Sequence, residues 1–194
     1  ERSGRLANHL LGEGLGIARE RSELAGHESG QAHVALYLYN GFEYLEGMFG
    51  AWKARAASFN VNYRYVEEEL LYLFENSQSR AVIYHGEFAP RIAAIRDQLP
   101  RLEVFLQVED GSGEVLLPGA MDYERALAEA SPERPPVTPS PDDLYILYTG
   151  GTTGLPKGVL LRSDDLFLGA MGGRRPARRE FSNLPDLAPP APPH

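Results

Sequence analysis

The residues best suited to chemistry lie close together, in Tyr148-Thr-Gly-Gly-Thr-Thr-Gly-Leu-Pro-Lys-Gly-Val159. They follow the apolar run Leu144-Tyr-Ile-Leu147. The positions Thr149, Gly150, Gly151, Thr152, Thr153 and Gly154 offer little to a hydrophobic core. They suit a polyanion, because glycine lets consecutive backbone N–H groups turn into one concavity and threonine hydroxyls rotate to donate. Lys157 adds a point positive charge, and Pro156 stiffens the chain before it. The chemistry expected is phosphate binding on a loop spanning 148–159. A flexible surface turn is the plain alternative, but it leaves the preceding strand and the following lysine unexplained.

Two familiar phosphate motifs do not fit. The Walker pattern needs Ser or Thr directly after Lys, whereas Lys157 is followed by Gly158. Gly14-Leu-Gly16 begins a dinucleotide fingerprint, but Arg19 stands where its third glycine belongs.

Other groups read more plainly. His9, His27, His33, His85 and His194 share no metal-ligand spacing, so no metal site is expected. Glu67-Glu68-Glu69 reads as the solvated start of a helix, where carboxylates favour the positive end of the dipole. Arg174, Arg175, Arg178 and Arg179 read as a solvated loop. Tyr37, Tyr39, Tyr44, Phe49, Trp52, Tyr63 and Tyr65 read as core and sheet-covering residues.

The elements that must position the glycine-rich stretch follow from periodicity. The continuous apolar run Val34–Tyr39 predicts a buried strand, and Ala56–Phe59, Ala81–Tyr84, Leu102–Val108 (with Glu103 and Gln107 as polar members) and Leu144–Tyr148 predict further strands. Between them, helical spacing predicts helices over Phe42–Ala54, Val66–Glu75, Phe88–Gln98 and Asp122–Ala130. In the first of these, Phe42, Leu45, Phe49 and Trp52 form the apolar stripe. Leu6, His9, Leu10 and Leu11 suggest an earlier amphipathic helix, and 17–31 reads as a charged inserted loop or surface helix. Strands alternating with helices predict an α/β fold: a largely parallel sheet with helices on both faces.

Proline marks the boundaries. Five of the 15 prolines fall between Pro132 and Pro141 and five between Pro185 and Pro193. Proline fixes φ and removes a donor, so 131–142 reads as a linker-like loop and 174–194 as an irregular Arg- and Pro-rich tail.

Composition bounds the function. The chain has 194 residues, 43% of them hydrophobic and 24% charged, as in an ordinary globular domain. A formal net charge of −8 argues against nucleic acid as a partner. The absence of cysteine removes disulfides and thiolate chemistry and fits a cytoplasmic location. No apolar run approaches the roughly 18 residues of a spanning helix.

The stretch 148–159 closely resembles the signature loop of the adenylate-forming (AMP-binding) superfamily, in which Tyr-Thr-Ser-Gly-Thr-Thr-Gly-x-Pro-Lys-Gly-Val is usual. The one departure is Gly150 in place of serine, which removes a hydroxyl and keeps the backbone donors. Upstream, Val34–Tyr84 resembles the N-terminal region of bacterial fatty-acyl-CoA synthetases, with Asn40 and Glu43 early in a helix and an Asn60–Asn62 turn. The resemblance covers residues 5–173 and implies a partial N-terminal AMP-binding domain over 1–173. It implies ATP-dependent activation of a carboxylic acid, fatty or steroid side-chain, to an acyl-adenylate and then to acyl-CoA. By resemblance, Thr149–Gly154 wrap the β- and γ-phosphates, Lys157 holds a phosphate oxygen or orders the loop, and Mg²⁺ is bound through the phosphates with CoA as co-substrate. The family's further motifs, its hinge and its mobile C-terminal domain have no counterpart here, so the resemblance assigns no catalytic residue. Two other readings stay open: a truncated module that holds nucleotide or a partner without chemistry, and an incomplete piece without function.

Overall fold

The computed structural model describes residues 1–151 and 154–169. The expected tail 174–194, with its arginine cluster, lies outside them.

Strands β1 (His33–Tyr37), β2 (Ala57–Asn60), β3 (Ala81–His85), β4 (Val104–Val108) and β5 (Met121–Asp122) form one parallel sheet in the order β2-β1-β3-β4-β5. In β1, Ala35 and Tyr37 enter one apolar cluster while Val34 and Leu36 enter the other. Burial on both faces is why β1 and β3 read as apolar runs over Val34–Tyr37 and Ala81–Tyr84. Helices α3 (Glu67–Ser77) and α4 (Ala89–Ile95) cover the first face through Leu70, Leu73, Phe74 and Ile92. Helices α1 (Arg2–Gly12), α2 (Phe42–Lys53) and α5 (Tyr123–Glu129) cover the second through Leu6, Leu10, Ala51, Ala126 and Leu127. This is the expected α/β arrangement with helices on both faces.

The helix starts are chemically marked. The Glu69 carboxylate accepts from the Val66 N–H at 3.0 Å, and Asp122 accepts from the Arg125 N–H at 2.8 Å. Segment 17–31 is a loop with one 3₁₀ turn at Arg21–Glu23, closed by an antiparallel bridge between Ile17 and Gln31. No helix or strand interrupts 131–142.

The stripe of α2 departs from expectation. Phe42, Leu45 and Phe49 are 81%, 50% and 40% exposed, and the residues α2 buries are Gly47, Gly50 and Ala51. Size is the reason. A Cβ on Gly50 would lie 2.6 Å from Leu6 Cδ2, and one on Gly47 would lie 2.8 Å from Leu36 Cδ2. Close approach of α1 and the sheet selects the small side of the helix and turns the large one outward. Tyr39 and Tyr63 are likewise partly exposed, whereas Tyr37 is fully buried, so the aromatic residues do not all join the core.

Beyond the parallel sheet, β6 (Leu144–Gly151) and β7 (Gly154–Arg162) form an antiparallel hairpin, followed by α6 (Ser163–Gly169). Strand β6 was expected over 144–148, but β7 was not. Leu144 and Ile146 join the cluster of Phe59, and the Tyr148 ring lies 5.3 Å from the Phe59 ring.

Candidate functional site

Residues 148–159, expected as a loop, are mostly the two arms of this hairpin. Thr149, Gly150 and Gly151 end β6, and Gly154 and Lys157 lie at the start of β7. Thr152 and Thr153 lie outside the described residues. Thr149 pairs with Lys157 and Gly151 with Gly154. Directly paired residues of an antiparallel ladder share a face, so Thr149 and Lys157 point to the same side of the hairpin mouth. Between the two pairs the register shifts, with Leu155 and Pro156 opposite Gly150 alone. A bulge of this kind accommodates a proline that cannot donate to the ladder.

Thr149, Gly150 and Lys157 are all exposed. Among the described residues no carboxylate pairs with Lys157. The mouth therefore presents a hydroxyl, an ammonium and glycine backbone, with no carboxylate among the described residues paired to the charge. That combination can receive an oxyanion.

The hairpin is tied down along its length. The Tyr72 hydroxyl donates to the Pro156 carbonyl at 3.1 Å, and the Tyr148 hydroxyl donates to Asn76 Oδ1 at 2.8 Å. Burial pushes the Tyr148 phenol up to about 12, so it remains a neutral donor. Gly158 faces it closely, since a Cβ there would lie 3.0 Å from the Tyr148 ring. At the base, Arg162 pairs with Asp142 at 2.7 Å, and the Leu144 N–H donates to Gln31 Oε1 at 2.7 Å. None of Tyr72, Asn76 and Gln31 was singled out from the sequence. Their partners lie 72 to 113 positions away, and no local pattern marks such contacts.

A cleft of about 460 Å³ flanks the hairpin, lined in part by His33, Asn76, Tyr148 and Gly158. Neither Thr149 nor Lys157 lines it. His33 has both ring nitrogens engaged, with Ser29 Oγ at 2.7 Å and with the Ser77 carbonyl, and burial lowers its pKa. Among the described residues no three His, Asp or Glu side chains converge to hold a metal ion. No helix among them is long and apolar enough to cross a membrane.

Comparison with known proteins gives the family. A family model described as AMP-binding enzyme matches residues 1–183. Over 174 residues the chain is 58% identical to the medium-chain acyl-CoA ligase Mig of Mycobacterium avium, covering 90% of this chain and 32% of that protein. It is 41% identical to the 3-oxocholest-4-en-26-oate–CoA ligase of Rhodococcus rhodochrous, covering 89% of this chain and 29% of that protein. The crystal structure of ATP-bound MatB from Rhodopseudomonas palustris superposes with a TM-score of 0.67 at 27% identity, covering 88% of this chain and 30% of that one. The chain thus spans about a third of the length of the proteins it matches.

Proposed function

The chain belongs to the AMP-binding enzyme family, and from that premise we propose that it supplies the triphosphate-holding hairpin of an ATP-dependent acyl-CoA ligase. The acid is a medium- or long-chain fatty acid or a steroid side-chain acid. The names of its relatives support both classes. In the reaction a carboxylate oxygen attacks the α-phosphorus, the bond to the β-phosphate breaks, and pyrophosphate leaves. The CoA thiol then loses its proton, attacks the acyl carbon and displaces AMP.

The observation that carries this reading is the pairing of exposed Thr149 with exposed Lys157 across the mouth. Lys157 offsets charge on the β- and γ-phosphates. The Thr149, Thr152 and Thr153 hydroxyls and the N–H groups of 149–154 donate to their oxygens, Gly150 and Gly151 keeping the approach free of side chains. Catalysis on this part of the enzyme is positioning and charge neutralisation, with donors fixed before the substrate arrives. With no ligand cluster among the described residues, Mg²⁺ would be held through phosphate oxygens, where it supplies further neutralisation. A reaction that consumes ATP and CoA suits the cytoplasm. In this reading residues 1–173 are the N-terminal part of the AMP-binding domain.

A second reading rests on the one-third coverage of the relatives. In it the chain holds nucleotide without completing the chemistry. ATP–pyrophosphate exchange by the 194-residue chain, with acetate, octanoate, palmitate and a steroid acid in turn, separates the two. Exchange that requires one of these acids shows adenylation by this chain and names the substrate class. Bound MgATP without exchange supports the nucleotide-holding module, and no MgATP binding contradicts both.

A further inference from the structure

Arg55 lies at the junction of α2 and β2 with a φ of +55°, a left-handed conformation uncommon for residues other than glycine. Three side chains hold it there. Its carbonyl accepts from Gln31 Nε2 at 2.8 Å. Its Nη1 and Nη2 donate to the two Glu20 oxygens at 2.8 and 2.9 Å. Its Nε lies 3.0 and 3.1 Å from the two Asp143 oxygens, and Nη2 lies 2.9 Å from Oδ1. The guanidinium fork is therefore shared between two carboxylates, a geometry that lysine cannot reproduce.

Asp143 is 5% exposed and sits at the base of the hairpin. Its Oδ2 accepts from the Ser140 N–H at 2.9 Å. Its carbonyl accepts from both the N–H and the hydroxyl of Ser163 at 2.7 Å. Asp143 thus touches the entry to β6 and the exit from β7 at once. Glu20 comes from the charged segment 17–31. That segment is built to keep its shape. Arg21 donates to the carbonyls of Ala25, Gly26 and Glu28, and a Cβ on Gly30 would lie 2.1 Å from the Arg19 carbonyl oxygen.

Strand rise gives this joint its leverage. Thr149 is six residues beyond Asp143, about 20 Å along the strand. A tilt of about 5° at the base would carry the mouth more than about 1 Å, a displacement that can cost a catalytic site a hundredfold. Tyr72 and Asn76 tie the outer part of the hairpin to α3, so the base joint and these two contacts together fix its direction.

We infer that Glu20, Arg55 and Asp143 form a positioning joint that seats the phosphate hairpin, with segment 17–31 acting as its clip. None of the three is among the residues proposed to contact phosphate. The inference deepens the triphosphate reading and rests on it.

Glu20 is the member to change first, because it is half exposed and its loss leaves the buried Arg55–Asp143 pair intact. The test compares the 194-residue chain with Glu20→Gln and Arg55→Lys in three measurements: amide hydrogen exchange over 144–151 and 154–162, MgATP affinity, and the thermal midpoint. In Glu20→Gln, hairpin amides are expected to exchange about tenfold faster and the MgATP Kd to rise about three- to tenfold, with the midpoint held within about 2 °C. Arg55→Lys should shift affinity further. Unchanged exchange and affinity in both variants overturn the inference. So does an affinity loss that merely tracks a falling midpoint, which is the behaviour of a general stability contact. If the unsubstituted chain binds no MgATP, the triphosphate reading fails by itself. The joint is then judged on exchange alone: faster hairpin exchange in Glu20→Gln upholds it and unchanged exchange overturns it.

Discussion

Thr149 stands directly opposite Lys157 across the antiparallel hairpin, one pair before the register shifts. A hydroxyl donor and an ammonium are thereby fixed on one face by backbone pairing, not by side-chain packing. Lys157→Ala should leave the fold intact, since the side chain is exposed. Hydrogen bonds to charged groups contribute about 1.5–3 kcal/mol, so its MgATP affinity should fall about ten- to a hundredfold. Titration calorimetry beside a urea melt checks both halves.

Close packing of α1 on α2 makes Gly50 sensitive. In an open helix, alanine would stabilise by about 1 kcal/mol relative to glycine. Here the new Cβ would lie within 3.0 Å of three Leu6 side-chain carbons, and Leu6 is fully buried. Overpacking costs about 1–3 kcal/mol, so Gly50→Ala should be net destabilising. Gly12, at the end of α1 with nothing near its Cβ position, is the control: Gly12→Ala should be neutral or mildly stabilising by urea midpoint.

The outward stripe on α2 predicts a different pattern. Phe42 and Leu45 are at least half exposed. Substituting both by serine should change stability by no more than about 0.5 kcal/mol per site. Light scattering at high concentration should show reduced self-association, because exposed apolar patches promote it.

Stability should also fall in mild acid. Burial lowers the pKa of His9, His33 and His85, so the folded chain binds fewer protons than the unfolded chain just below the ordinary histidine value of 6.5. Stability is therefore complete above that value and declines as pH falls through it toward the folded-state pKa values. Among the described residues His33 is bonded to Ser29 and the Ser77 carbonyl, neither charged. His33→Gln should flatten the thermal midpoint between pH 7.5 and 5.5 relative to the unsubstituted chain.

Much of the fold was legible because the parallel strands are buried on both faces. Val34–Tyr37 and Ala81–Tyr84 read as unbroken apolar runs, and in the sheet they pair in parallel, Val34 with Ala81 through Tyr37 with Tyr84. The stripe of α2 was visible but its direction was not. Periodicity finds an apolar face, and only the contacts of Gly47 and Gly50 show that the opposite face is the one packed. Strand β7 was missed because Pro156, Gly154 and Gly158 read as breakers. Pairing with β6 and the bulge at Leu155-Pro156 accommodate them. The chemical character of Thr149–Lys157 was legible because glycine, threonine and lysine are unusual company after an apolar strand. The supports of the hairpin were not: Arg55 finds its carboxylates 35 and 88 positions away.

The most direct measurement is calorimetric titration of the 194-residue chain with MgATP, MgADP and AMP, repeated on Lys157→Ala. A triphosphate cradle predicts affinity falling in that order, with the advantage of ATP over AMP largely abolished in Lys157→Ala. AMP binding as tightly as ATP, or an ATP affinity indifferent to Lys157, would contradict the account.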